Sequence, residues 1–265
     1  MSSSSDDAVL LDKPAPGVRL ITLNRPQVRN AMTTEVTAAW AAAMTELAGD
    51  PDVRALVVTG AGSSFCSGAD LSWLDQGSSQ DNTPDKMRDR MLPFYRTWLS
   101  PRELPFPVIA AVNGPAIGAG LCAALACDLR YAAATARFSA PFIYLGTHGG
   151  MAATWLLPEA IGVPRARDLL YTGRELSAEE ALEWGLVSAV VDDVLDHSIK
   201  MARHIATAAP IATRLTKAGL EQSANGLAAS LQWEALAQPV TLATSDVHEG
   251  IQAKRERRPP TFTGR

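Results

Sequence analysis

Cysteine is scarce: only Cys66, Cys122 and Cys127 occur among 265 residues. So few thiols exclude a disulfide framework, and their spacing matches no zinc site. A reduced, cytoplasmic protein with no metal is the expectation. No apolar run reaches the roughly 20 residues that span a bilayer, so no membrane partner is expected. The start, Met1-Ser2-Ser3-Ser4-Ser5-Asp6-Asp7, lacks the basic flank and apolar stretch of a signal peptide. Residues 1–7 read as a loose tail. Basic excess is missing too: the net charge is -4, which gives no sign of a nucleic-acid partner. Neither G-x-x-x-x-G-K-[ST] nor G-x-G-x-x-G occurs; Gly118-Ala119-Gly120 is followed by Ala123 where a third glycine belongs. That speaks against a nucleotide-binding loop, and no redox cofactor is implied. The one dense basic run, Lys254-Arg255-Glu256-Arg257-Arg258, suits a solvated helix end favoured by the helix dipole. The alternative is contact with a phosphate-bearing ligand or a neighbouring subunit.

What is present suits one soluble α/β domain with a helical appendage: 47% of residues are hydrophobic and 20% charged. Val18–Leu23 alternates as a strand, with a partner near Val9–Leu11 across the Pro14–Gly17 turn. Thr33 or Thr34 caps a helix that buries Val36, Trp40, Met44 and Leu47 and stops at Gly49-Asp50-Pro51. Ala55–Thr59 and Pro107–Val112 are short apolar strands, each running into a glycine-rich loop and then a helix. Residues Gln76–Pro84 read as a mobile loop before a helix containing Met87, Met91 and Tyr95. Beyond about residue 160 the pattern is mainly helical, with a capping box at Ser177–Glu180 and a short strand within Gly185–Val191. Helices are expected around Val194–Ala206, Ile211–Gln222, Ala228–Ala237 and Ser245–Arg257.

Glycine at a strand end lets backbone approach a ligand without a Cβ in the way. A loop entering a helix also offers unpaired N–H groups and the positive end of the dipole. Two such elements converging on one oxygen make an oxyanion hole; taken alone, the same turns could equally bind phosphate or simply turn.

The two loops read Phe65-Cys66-Ser67-Gly68-Ala69-Asp70-Leu71 and Asn113-Gly114-Pro115-Ala116-Ile117-Gly118-Ala119-Gly120-Leu121-Cys122 through Cys127-Asp128. With Leu23–Met32, Phe138–Thr147 and the Glu249–Gly264 end, they resemble, in order along nearly the whole chain, the enoyl-CoA hydratase/isomerase (crotonase) family. The resemblance implies a crotonase-type spiral of ββα turns over residues 8–195. It also implies a C-terminal helical region, 196–265, involved in trimerisation, with a homotrimer or homohexamer as the assembly. It implies a CoA thioester as ligand, with no resident cofactor. The thioester carbonyl would sit on the N–H groups of Ala69 and Ala119. The CoA moiety would lie along Arg25, Gln27, Val28 and Ala31 and the Ser67, Gly68, Asp70, Leu71 loop, with Ile117, Gly118 and Leu145 among the residues that bind the substrate.

Hydratases of the family carry two catalytic glutamates. The matching positions here hold Cys122 and Phe142, so the usual hydration mechanism is doubtful. Cys122 could act as base or nucleophile if its pKa were lowered; otherwise it is a small buried side chain, and Cys66 is read the same way. His148, between glycines, is a candidate acid or base; the alternative is a hydrogen-bonded structural histidine. His197, His204 and His248 read as surface residues. Asp70 is expected to cap or orient its loop, while Glu103 and Asp75 are possible carboxylates at the pocket mouth. Tyr144 and Trp155 read as packing residues, and Trp73 and Trp98 as possible walls of an acyl tunnel. Three functions remain: enolate chemistry on a CoA thioester without the glutamate pair, acyl-CoA binding without turnover as a sensor or scaffold, and hydration by unusual groups. An enzyme, lyase or isomerase, is favoured over a pure binder because both carbonyl-gripping loops are intact.

Overall fold

The apolar runs become two sheets in the computed structural model, which describes residues 6–70, 83–222 and 226–265. In chain order the strands are β1 (Val9–Ala15), β2 (Val18–Leu23), β3 (Ala55–Gly60), β4 (Val108–Val112), β5 (Ala116–Ile117), β6 (Leu129–Ala132), β7 (Arg137–Ser139), β8 (Glu175–Ser177) and β9 (Ala189–Val190). The larger sheet runs β1-β2-β3-β4-β6-β9. Its first pair is an antiparallel hairpin turning at Gly17, and every later pair is parallel. The smaller sheet is β5-β7-β8.

Every residue of β3 and β4 is buried, because helices cover both faces; that is why these strands read as unbroken apolar runs. On one face Leu56, Val58, Ala110 and Val112 meet the main core. On the other, Val57, Ile109 and Ala111 meet α6 (Val194–Ala206) through Val194, Ala202 and Ala206. The expected boundary between 195 and 196 therefore falls inside a helix that packs on the sheet.

The capped helix is α1 (Thr34–Gly49): the Val36 N–H donates to Thr33 Oγ1 at 3.2 Å. Its Trp40 stacks on Trp98 of α2 (Pro84–Leu99), ring centroids 4.8 Å apart. Trp98 is thus buried core and not a tunnel wall, a correction to the expectation. The remaining helices are α3 (Ala119–Leu125), α4 (Ala153–Thr172, bent at Gly162), α5 (Ala178–Trp184), α7 (Pro210–Gln222), α8 (Leu227–Leu242) and α9 (Ser245–Glu256). The capping box forms as expected between Ser177 and Glu180. No described helix is long and apolar enough to cross a membrane.

Two departures have clear causes. The smaller sheet is absent from the sequence reading, because its strands span only two or three residues and so leave no alternation to read. His197, expected at the surface, is half-buried on α6 and meets the Tyr131 ring edge-on at 4.6 Å; its neighbour Ser198 lies fully under the sheet. His204 and His248 are exposed. In the basic run, Arg258 is held by Glu249 and Glu256. The Arg258 guanidinium and the Thr261 N–H hold the Glu249 carboxyl down at about 2.

Candidate active site

Parallel strands present ligands at their carboxyl ends, and the two glycine-rich loops leave β3 and β4 there. Two asparagines fix their shape. The fully buried Asn30 donates to Ala61 O (3.0 Å) and Ser64 O (2.8 Å) and accepts from Arg25 N–H (2.9 Å). Asn113 accepts from Gly60 N–H (3.1 Å) and donates to Gly62 O (3.0 Å). Asn30 has φ +55, a left-handed conformation that asparagine adopts more readily than most residues.

The loops are then locked to each other. The N–H groups of Phe65 and Cys66 both donate to Pro115 O at 3.1 Å, and Ile117 N–H donates to Cys66 O at 3.0 Å. Gly118 N–H goes to Ser139 O (2.8 Å) on the smaller sheet, and Met32 N–H to Gly68 O (2.8 Å). The N–H groups of Ala119 and Ala69 take no part in this locking. Ala119 opens α3, so its N–H has no intrahelical acceptor. Ala69 sits in a bridge made through the Gly68 carbonyl. Among the described residues no hydrogen bond uses either N–H.

Both alanines line one cavity of about 520 Å³. Gly68 separates them: a Cβ there would lie 2.7 Å from Ile117 O and 3.4 Å from Ala119 N, and its φ of +96 already favours glycine. The rest of the lining is largely apolar, from Met91, Phe94, Phe142, Leu145 and Met151, with Arg29, Asp70 and His148 supplying polar groups. A shallower hollow of about 860 Å³ lies at the β1–β2 turn, around Lys13–Gly17 and Arg54. It touches neither loop.

The residues expected at the site fall into three groups. Ala31, Ser67, Gly68, Ala69, Asp70, Ile117, Gly118, Ala119, Phe142, Leu145 and His148 come together at the cavity. Arg25, Gln27 and Val28 do not line it; Arg25 is committed to Glu35 and to Asn24 O. Leu71, Trp73, Asp75 and most of the Gln76–Pro84 loop lie outside the described residues. Glu103 is exposed and away from the cavity, which corrects its expected place at the mouth. Tyr144, 74% exposed on the cavity rim, lies against Gly173, and Trp155, 49% exposed, lies beneath the Arg102 guanidinium, so both pack at the surface.

Cys122 is buried one turn into α3, its S–H donating to Gly150 O at 3.7 Å. Burial pushes its thiol up to about 12, as it does for Cys66 and Cys127. At neutral pH it is therefore a protonated apolar side chain, neither base nor nucleophile. The Phe142 ring stands over Gly118: a Cβ on that glycine would meet it at 3.8 Å. His148 is exposed at the rim, with Nδ1 2.8 Å from its neighbour's carbonyl, Gly149 O.

One polar side chain of the cavity carries no signal of its role in the sequence. Tyr95, on α2, is half-buried and points its hydroxyl at Gly150, where a Cβ would come within 2.7 Å of the phenol oxygen. Burial raises its pKa, and the Met151 N–H facing the oxygen partly opposes that.

Two unengaged backbone N–H groups thus line one largely apolar cavity, and such donors suit an oxygen that carries negative charge. Comparison with known proteins gives the family. The enoyl-CoA hydratase/isomerase family model matches residues 14–265, and the chain belongs to that family. The Mycobacterium tuberculosis protein named probable enoyl-CoA hydratase EchA14 is 40% identical over 242 residues, 91% of this chain and 90% of that protein. The 1,2-epoxyphenylacetyl-CoA isomerase of Escherichia coli is 36% identical over 260 residues, 97% of this chain and 98% of that protein. Among solved structures, an enoyl-CoA hydratase from Bacillus anthracis superposes with a TM-score of 0.90 at 35% identity, covering 97% of this chain and all of that one. The mixed α/β architecture is accordingly the crotonase fold.

Proposed function

We propose that the chain binds a CoA thioester with its carbonyl oxygen between the N–H groups of Ala69 and Ala119, and stabilises the thioester enolate there. The observation that carries this is the pair of unengaged backbone donors on one cavity, in a member of a family whose relatives are named for CoA thioesters. A donor of this kind is worth about 3–4 kcal/mol in a transition state when it meets a developing oxyanion. The acyl group lies among Ile117, Gly118, Phe142 and Leu145. The CoA moiety leaves past Ser67, Gly68, Asp70 and Ala31 toward Gln27 and Val28, with Arg25 holding the segment through Glu35. CoA is substrate or ligand here, not a resident cofactor. His148 contributes from the rim through its Nε2.

The site does not suit two-carboxylate hydration. At the two glutamate positions it offers a protonated thiol and a phenyl ring, neither of which deprotonates water. Purified protein is expected to leave the conjugated absorbance of short- and long-chain trans-2-enoyl-CoA unchanged. Rapid loss of that absorbance would contradict this reading and return hydration, with His148 the first residue to substitute.

We also infer a homo-oligomer, a trimer or a hexamer. Helix α8 buries none of its residues, yet carries Leu227 (77% exposed), Leu231, Leu236 (75%), Val240 and Leu242 outward. An apolar helix left this bare in one chain is covered by a second copy.

A further inference from the structure

A thioester enolate held on Ala69 and Ala119 needs a proton source; Cys122 keeps its S–H on Gly150 O and Phe142 has no proton to give, and the role assigned to Tyr95 rests on that thioester reading. Tyr95 stands where a source is needed. Its hydroxyl abuts Gly150, the residue whose carbonyl takes the Cys122 S–H. Cys122 in turn lies three residues beyond Ala119, about 4.5 Å along α3. The phenol is thus placed beside the position a catalytic carboxylate would occupy. The backbone across from it is held in an unusual shape: Met151 and Ala152 both adopt left-handed angles (φ +49 and +56) although neither is glycine. Such conformations persist where the surroundings enforce them. The Met151 N–H of this segment faces the phenol oxygen. Among the described residues nothing accepts the hydroxyl proton, so that proton is available to whatever fills the cavity.

We propose that Tyr95 is the catalytic proton donor of this site, delivering its hydroxyl proton to the carbon next to the thioester carbonyl. The phenol O–H bond breaks and the C–H bond forms. The enolate's electron pair becomes that bond, and the phenolate left behind is reprotonated by water. A phenol whose pKa is raised by burial is an acid at neutral pH and not a base. The site is therefore suited to reactions that generate an enolate by some route other than proton abstraction, such as cleavage of a substituent from the α-carbon, and that then quench it.

By microscopic reversibility, the ionised fraction of Tyr95 also removes an α-proton. This can be read with phenylacetyl-CoA in D2O at mildly alkaline pH, following the mass of the recovered thioester while its binding is measured by calorimetry. Wild-type protein is expected to bind the thioester and exchange its α-protons. Tyr95→Phe, which removes only the hydroxyl, is expected to bind equally well and exchange at least ~100-fold more slowly. Exchange by Tyr95→Phe at the wild-type rate would overturn the assignment and leave the thioester site standing. So would wild-type binding with no exchange at all. Absence of binding by the wild type would overturn the thioester reading and this assignment with it.

Discussion

Ala119→Pro is expected to slow α-proton exchange, or any turnover that passes through the enolate, by about 100–1000-fold. Thermal stability should be nearly unchanged. Proline removes the one N–H that this position offers. It does so at the first residue of α3, where its fixed φ suits the helix and no intrahelical bond is lost. The residue before it, Gly118, has φ +55 and ψ -116 and no Cβ to crowd the ring. Ala119→Gly keeps the N–H and should keep the activity. If Ala119→Pro exchanged protons within a few-fold of the wild type while folded, the thioester oxygen would not be at Ala119.

Gly120→Ala should act on stability instead. A Cβ at Gly120 would lie 2.2 Å from Cys66 O and 2.8 Å from the Cys66 carbonyl carbon. That carbonyl cannot move aside, because it holds the Ile117 N–H at 3.0 Å and Cys66 is bridged to Ala116. Overpacking against fixed backbone costs about 3 kcal/mol or more, which in a domain of this size lowers Tm by roughly 6–12 °C. Gly49→Ala is the control: nothing lies within 4 Å of its Cβ, at the end of α1, so it should leave Tm unchanged or slightly higher. A Gly120→Ala protein melting like the wild type would mean that the two loops are not packed as closely as the structure has them.

How far the sequence reveals this arrangement depends on the length of the signal. The long apolar runs of β3 and β4, the Thr33 cap, the Ser177 capping box and the amphipathic α6 are all legible, because each spreads over several residues at a fixed period. The two loops are legible through their glycines: Gly68 and Gly120 sit where backbone meets backbone. Tyr95 is not legible as a site residue, because its place in the cavity comes from α2 packing beside α3, a contact between segments far apart in the chain. Trp98 misleads for the same reason, since only the fold shows that it stacks on Trp40. Asn30 could have been noticed: an asparagine directly after a turn is a common occupant of the left-handed region, and here that conformation aims its amide at the loop carrying Ala69.

The central claim is that a thioester carbonyl is gripped by two backbone donors. The most direct measurement is a calorimetric titration with an acyl-CoA and with the CoA thioether of the same chain length, which lacks the carbonyl oxygen. Two hydrogen bonds to that oxygen predict that the thioester binds about tenfold more tightly, and that Ala119→Pro loses most of the difference. Equal affinities for thioester and thioether in the wild type would contradict a carbonyl held by Ala69 and Ala119.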